Sequence, residues 1–347
     1  RQMCIRDSYK NVKHITYDSF SESAALNAYE SRYGVRGLSN YDFSESKVIV
    51  SIGADFLGDW QGGGFDCSYA KGRIPDNGTM SRHIQFESNM TLSGANADVR
   101  VPLKLNEQKL VLIEIYKSIV GNKIQLKSDI SLNKKTKKIV DALIKEIKSA
   151  ADGSVVISGI KDEDYQSLVL EINEKLNSYS FNPTKTIFTR SSDDEKISKL
   201  ISSMSNGDVG ALIMSGVNPI YSLANSEEFF KGLVKVDMSI CFSMKNDETA
   251  LASKYVAATN HYLESWGDFE LVSGEFSLAQ PVIRTLFDTK QFQELLLIWS
   301  GNKISLHDYI KNFWKANVLG LDSWNKALHD GCLLYTSPSP RDATLSR

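Results

Sequence analysis

A chain of 347 residues with 42% apolar residues has material for more than one core, and its 40 basic and 42 acidic residues are mixed rather than gathered into the basic stripe of a nucleic-acid binder. No apolar run approaches the ~20 residues of a membrane span; the longest are short pieces such as LVLIEIY and LLLIW. Four cysteines without a CxxC pair cannot supply the clustered thiolates of an iron–sulfur or structural zinc site.

The ends carry no pattern. RQMCIRDS (1–8) has no apolar period, no helix cap and no signal-peptide organisation, and 331–347 is equally patternless. Both read as adapter-like, non-native segments, the alternative being disordered native ends. The body between them carries a charge near −4 and two cysteines, Cys67 and Cys241, expected to be ordinary buried thiols.

HITY (14–17) reads as a strand leading into SESAALNAYESRYG, where Ala25, Leu26, Tyr29 and Tyr33 share one helical face, Ser21 or Ser23 caps and Gly34 stops the helix. KVIVSIG (47–53), a continuous apolar run ending in glycine, predicts a strand inside a parallel sheet. The region ADFLGDWQGGGFDCSYAKGRIPDNG has no period and reads as a long functional or interface loop. ADVRVPLKL (97–105) reads as a strand and NEQKLVLIEIYKSIVG (106–121) as a helix capped by Asn106. These elements make a first α/β unit, 9–121.

SLNKKTKK (131–138) predicts a polar surface connection into a helix at 138–150. GSVVISG (153–159) is a strand, and DEDYQSLVLEINEKLNSYS an amphipathic helix with Tyr165, Leu168, Val169, Ile172 and Leu176 on its apolar side. KTIFTR (185–190) is a strand, EKISKLISSMSNG a helix stopped by Gly207, and GALIMSG (210–216) another buried strand. LVKVDMSICFS (233–243) is a further strand, DETALASKY opens a helix, and late helices fall at 290–299, 305–316 and 321–329. Strands separated by helices of this length predict right-handed βαβ connections and parallel sheets, with 122–330 as a second α/β unit.

Two segments have the form of ligand loops. GALIMSGVNPIYSLANSEEFF (210–230) runs from a strand through Gly-x-Asn-Pro to a helix start at Asn225 and Ser226. Ligands in open α/β sheets bind beyond the carboxyl ends of strands, where helix N-termini favour phosphate. Gly216 would admit a ligand, Asn218 bond it and Pro219 fix the turn; a plain turn accounts for the same residues. After the next strand Asp247 and Glu248 suit a helix start, with Thr249 beside the sheet edge, and capping alone explains them. Elsewhere, Ser81, Arg82, His83, Gln85 and Glu87 crowd together. They form either a partner-facing or proton-conducting cluster, or a helix surface with an i, i+4 pair of His83 and Glu87. His14, His261, His307 and His329 are scattered, and Trp266, Trp299 and Trp314 read as packing or interface anchors.

In order and spacing, these segments resemble the molybdopterin oxidoreductase superfamily: KVIVSIGADFLGDW, a strand with Gly-x-Asn-Pro, a strand followed by Glu-Thr-Ala, then YLESWGDFE. The forms MSRHIQFES, SGANADVRVP, HYLESWGD and QPVIRTLFDT are similar to the large iron–sulfur subunit of bacterial alternative complex III, a quinol:electron-acceptor oxidoreductase, across nearly all of 14–330. The resemblance implies an α/β fold of two Rossmann-like units with mostly parallel sheets flanked by helices. It implies twin-arginine export to the periplasmic face of the inner membrane, and cytochrome c-type and integral membrane quinol-oxidising subunits as partners. It also implies 4Fe–4S and 3Fe–4S clusters in a cysteine-rich region downstream of residue 330. The chain departs from catalytic members, which follow Glu-Thr-Ala with an Ala-Asp pair and Leu-Pro; here Ser253, Lys254 and Tyr255 stand instead.

The expectation is therefore a scaffold with no catalytic residue, cofactor or metal of its own. Gly216, Asn218, Pro219, Glu248 and Thr249 would be a vestigial pterin loop, and Arg82, His83, Glu87 and Trp266 partner contacts. The alternative is a piece of a catalytic molybdopterin-dependent reductase of the polysulfide or thiosulfate type. In that case Gly216, Asn218, Glu248 and Thr249 would touch molybdopterin guanine dinucleotide. A third reading is a small-molecule-binding α/β module.

Overall fold

The computed structural model describes residues 11–75, 78–121 and 131–334. They fall into two compact units, Ser21–Ser192 and a second built from Asp193 onward together with the stretch before Ser21.

The first unit contains helix α1 (Ser23–Tyr33), strands β1 (Leu38–Tyr41) and β2 (Val48–Ile52), α2 (Asp66–Gly72), β3 (Arg82–Glu87), the single turn α3 (Leu92–Ala95), β4 (Val99–Pro102), α4 (Leu105–Ile119), α5 (Lys134–Ala150), β5 (Ser154–Ser158), α6 (Glu163–Leu176) and β6 (Phe181–Ile187). Strands β4-β3-β2-β5 form a parallel sheet in that order. The all-apolar run of β2 is buried along its whole length because both sheet faces are covered. Val48, Val50 and Ile52 pack with Leu112, Ile115, Leu143 and Ile147 of α4 and α5 on one face. Ile49, Val155 and Ile157 pack with Leu26, Phe43 and Phe56 on the other. β1 and β6 pair antiparallel.

In the second unit come α7 (Asp194–Asn206), β7 (Ala211–Ser215), the short α8 (Pro219–Ser222), α9 (Ser226–Lys235), β8 (Met238–Ser243), α10 (Glu248–Ala252), β9 (Tyr255–Ala258), the hairpin β10 (Gly267–Val272) and β11 (Glu275–Ala279), helices α11 (Phe292–Trp299), α12 (Leu306–Asn317) and α13 (Trp324–Asp330), and β12 (Cys332–Leu334). β7-β8-β9 is a second parallel sheet, and β12 extends the hairpin through β11. One core gathers Met204, Met214, Phe229, Leu233 and Cys241. Another surrounds the fully buried Trp314, with Trp324, Leu297 and Ile310.

Several readings change. The compact units meet in sequence at Ser192/Asp193, not at 121/122, because β5 returns to pair with β2 from Val48↔Ser154 to Ile52↔Ser158. HITY is extended chain without a sheet partner strand; Tyr17 Oη instead meets Ser222 Oγ at 2.8 Å. The Gly-rich region holds the helix α2 and a 3-10 turn, Trp60–Gly62. SLNKKTKK is mostly the first turns of α5, capped by Asn133, and Lys104 rather than Asn106 stands at the start of α4. β7 is a strand as expected but, of its five residues, only Met214 is buried. Cys67 is exposed, whereas Cys241 is buried and its thiol is pushed up to about 11 by burial. Of the adapter-like ends, 332–334 form β12; residues 1–10 and 335–347 lie outside the described residues.

Candidate functional site

The first place to look for a ligand is where strand order reverses, beyond the carboxyl ends of adjacent strands. In the first sheet that point lies between β2 and β5, and it is packed with the chain's own atoms. A Cβ added to Gly159 would stand 2.1 Å from Gly53 O, so the two glycine backbones touch where a cofactor would enter. Gln108 Oε1 lies 2.6 Å from a Cβ built on Gly53. The Trp60 indole N–H donates to Ser158 O at 3.3 Å, and Gln166 Nε2 donates to Ser158 O and Ile160 O at 3.1 and 2.7 Å. Trp60, Gln108 and Gln166 are all buried. They stand far apart in sequence, and nothing in the one-dimensional pattern marked them.

The second sheet is open at the same edge. A cavity of about 780 Å³ begins at Ser215 and Gly216 after β7 and at Ser243 after β8, and continues against the β10–β11 hairpin and helices α11 and α12. Of the predicted loop residues, Gly216 and Asn218 line it, and Glu248 and Thr249 join them through bonds to Asn218. Asn218 Nδ2 donates to Glu248 Oε2 at 2.7 Å, Thr249 Oγ1 donates to Asn218 Oδ1 at 2.7 Å, and Ile220 N donates to Thr249 Oγ1 at 3.2 Å. The bond from Asn218 holds the Glu248 carboxyl below the usual carboxylate range. Pro219 is buried as the first residue of α8, and Gly216 has φ +68 with no atom within 4 Å of an added Cβ. These polar groups bond to one another and so hold the two loops together. Trp266 also lines the cavity, its backbone N–H and C=O both held by the Gln291 amide at 2.9 Å.

The 81–87 group lies on a strand, not on a helix. Alternate residues of β3 face opposite sides. Ile84 and Phe86 enter the apolar core, while His83, Gln85 and Glu87 form a buried polar line on the other face. Tyr69 Oη meets His83 Nδ1 at 3.2 Å, His83 Nε2 meets Gln85 Oε1 at 3.1 Å, and Gln85 Nε2 donates to Glu87 Oε2 at 3.3 Å. Arg100 Nε and Thr91 Oγ1 donate to the Glu87 carboxylate at 2.5 and 2.6 Å, pairing a charge that would otherwise be costly in the interior. Desolvation lowers His83 to about 4, so it is neutral at pH 7. Burial removes His83 and Glu87 from the chain's surface. Arg82 stays exposed, in an ion pair with Glu146 at 2.9 Å.

Among the described residues no three His, Cys, Asp or Glu side chains are arranged to hold a metal ion, and no helix is long and apolar enough to cross a membrane.

The chain is built of two α/β units, each with a parallel sheet flanked by helices, with a Gly-x-Asn-Pro turn and a Glu-Thr-Ala helix start at the open edge of the second. Over 95 residues, 26% of this chain, it is 33% identical to the menaquinone reductase, molybdopterin-binding-like subunit, of Nitratidesulfovibrio vulgaris, and that stretch is 14% of the relative's length. Its fold is similar to acetylene hydratase from Pelobacter acetylenicus, with a TM-score of 0.65 at 13% identity over 92% of this chain and 56% of the other. It is also similar to the formyltransferase/hydrolase complex of Methylorubrum extorquens, with a TM-score of 0.52 at 13% identity, covering 86% of this chain and 88% of that one. No family model matches the chain. The structural likenesses show a shared α/β fold, and the sequence likeness is confined to about a quarter of the chain.

The group that the resemblance to molybdopterin oxidoreductases would imply is a pterin dinucleotide, anionic at its phosphates, and the residues at these two crevices do not suit it. The first crevice is packed solid. The second is lined by Asp247 and Asp268 and by no Lys, Arg or His. The first turns of α9 and α10, where a phosphate would find N–H groups and favourable dipoles, carry Glu227, Glu228 and Glu248, and Asp247 caps α10 through Ala250 N.

Proposed function

We propose that this chain is a non-catalytic, molybdopterin-oxidoreductase-like scaffold region of a subunit in a membrane-associated quinol:electron-acceptor oxidoreductase. It braces iron–sulfur centres carried elsewhere in that subunit and presents docking surface to cytochrome c-type and integral membrane partners on the periplasmic side. The observation that carries this reading is the first crevice, where Trp60, Gln108 and Gln166 fill the position a nucleotide would need. The likeness to a molybdopterin-binding-like subunit of a menaquinone reductase supports the respiratory setting. A rigid α/β block suits the task, because electron transfer between clusters requires fixed distances and the block itself adds no reactive group.

The rival reading, a piece of a catalytic molybdopterin-dependent reductase, draws on the open second crevice, lined by Gly216 and by Asn218, which bonds to Glu248 and Thr249. Elemental analysis of the full-length protein isolated from its native membranes separates the two. The scaffold reading expects iron with molybdenum and tungsten far below one per chain. Stoichiometric molybdenum or tungsten, with a fluorescent pterin released on oxidation, overturns it.

A further inference from the structure

Over the chain as a whole the two signs of charge are mixed, but α5 departs from that. Its solvent side carries Lys134, Lys135, Lys137, Lys138, Lys145 and Lys148, all exposed. At about 100° per residue, five of them (Lys135 stands to one side) share one face in a row about 21 Å long, with Asp141 as the one acid among them. Lysines on other helices have acidic partners, such as Lys109 with Asp162, Lys199 with Glu195, Lys231 with Glu227 and Lys326 with Asp322. Among the described residues none of the six lysines of α5 is in an ion pair, and Glu146 of the same helix is taken by Arg82. Helix stability does not call for these cations. The first turns of α4, α6, α7, α9 and α12 carry Asp or Glu, which the helix dipole favours. The first turn of α5 holds Lys134 and Lys135 and no acid, against the dipole. The helix forms because the Asn133 side chain accepts from Thr136 N at 2.9 Å and because Val140, Leu143 and Ile147 bury its other face.

Going beyond the scaffold reading, we propose that the lysine face of α5 rests on an anionic lipid surface. A cluster of this size on one helix is attracted to phosphate headgroups within about a Debye length. The apolar side of α5 is already used in the core, so the helix lies on the headgroups and does not insert. A protein partner would need an apolar centre, and Lys is depleted at such interfaces; here only the small Ala142 and Ser149 stand exposed beside the lysines. α5 contains no Arg, the planar fork that suits fixed carboxylates and nucleic acid, whereas ammonium groups on flexible stems suit mobile phosphates. Because the chain carries a net charge of −2, the surface outside this stripe is acidic on balance, and repulsion of that remainder turns α5 toward the lipid.

The test uses the full chain and sucrose-loaded vesicles of phosphatidylcholine, with and without phosphatidylglycerol. Co-sedimentation should show about tenfold or stronger partitioning onto the phosphatidylglycerol vesicles, falling as salt is raised. Lys134→Glu, Lys138→Glu and Lys145→Glu combined should lower that partitioning about tenfold or more without lowering the melting temperature. The same three positions changed to Arg should keep it, and Lys199→Glu with Lys231→Glu, on α7 and α9, should leave it unaltered. Equal partitioning onto both kinds of vesicle, indifference to the three charge reversals, or tighter binding of polyglutamate, duplex DNA or glycerol phosphate than of the vesicles would each overturn the lipid face. Vesicle binding does not depend on metal content, so the lipid face can fail while the scaffold reading stands, and a molybdenum-loaded protein would remove that reading without touching α5.

Discussion

The carboxyl edges of the two parallel sheets are opposites. At the first, glycine backbones touch and three large polar or aromatic side chains fill the space; at the second, a cavity of about 780 Å³ stays open and acidic. The first edge resembles a protein core, whereas the second is open to solvent. The same sheet edge can be closed by the chain's own side chains or left open, and this molecule shows both outcomes.

The sharpest way to break that contrast is a pair of glycine substitutions. Gly159→Ala drives a Cβ to 2.1 Å from Gly53 O, a backbone atom that cannot move aside, and should cost at least about 3 kcal/mol. Gly216→Ala meets no neighbour within 4 Å and carries only the strain of φ +68, about 1–2 kcal/mol. Urea titration of both variants checks the order; equal losses would mean that the first edge is not packed as described. Next in size, Trp60→Ala should cost about 3–5 kcal/mol by leaving a cavity, against about 1 kcal/mol or less for Phe269→Ala at the open edge.

Acid provides the third comparison. Below pH 6.5 the unfolded chain takes up a proton at His83 that the folded chain refuses until about pH 4. Stability is therefore lost as pH falls through that window, by up to about 3 kcal/mol from this residue. Urea midpoints at pH 7.5, 5.5 and 4.5 should show the gap between wild type and His83→Asn narrowing as the pH drops; a constant gap would remove His83 as the source. The smallest effect is expected at Asp247, whose carboxylate accepts from Ala250 N at 2.9 Å: Asp247→Ala should cost about 1 kcal/mol of cap energy, read as a small drop in melting temperature.

Much of this fold was legible in one dimension. The apolar run of β2, the periodic faces of α1 and α6, and the stops at Gly34 and Gly207 are local signals, and both glycines sit in the left-handed conformation that ends a helix. The loop candidates were legible too, since a Gly-x-Asn-Pro turn and a Glu-Thr-Ala start each follow a strand; what stayed hidden was that Asn218, Glu248 and Thr249 satisfy one another across a gap of about thirty residues. β3 was misread because its alternation of His83, Ile84, Gln85, Phe86 and Glu87 has polar residues on a face that is itself buried. The period of two was present, but the rule that polar residues face water pointed to a helix surface. The short strands β1, β9, β10 and β11 escaped because each is stabilised by a partner strand rather than by its own composition.

By itself, the sequence determined the succession of strands and helices, the α/β class and the positions of the two ligand-type loops, because propensity, capping and periodicity act between residues a few positions apart. Only the tertiary structure decided where the units divide, that β5 belongs to the first sheet, and that one crevice is filled while the other is open. Those outcomes depend on contacts such as Gly53 with Gly159 and Trp60 with Ser158, separated by about a hundred residues, which no local pattern encodes.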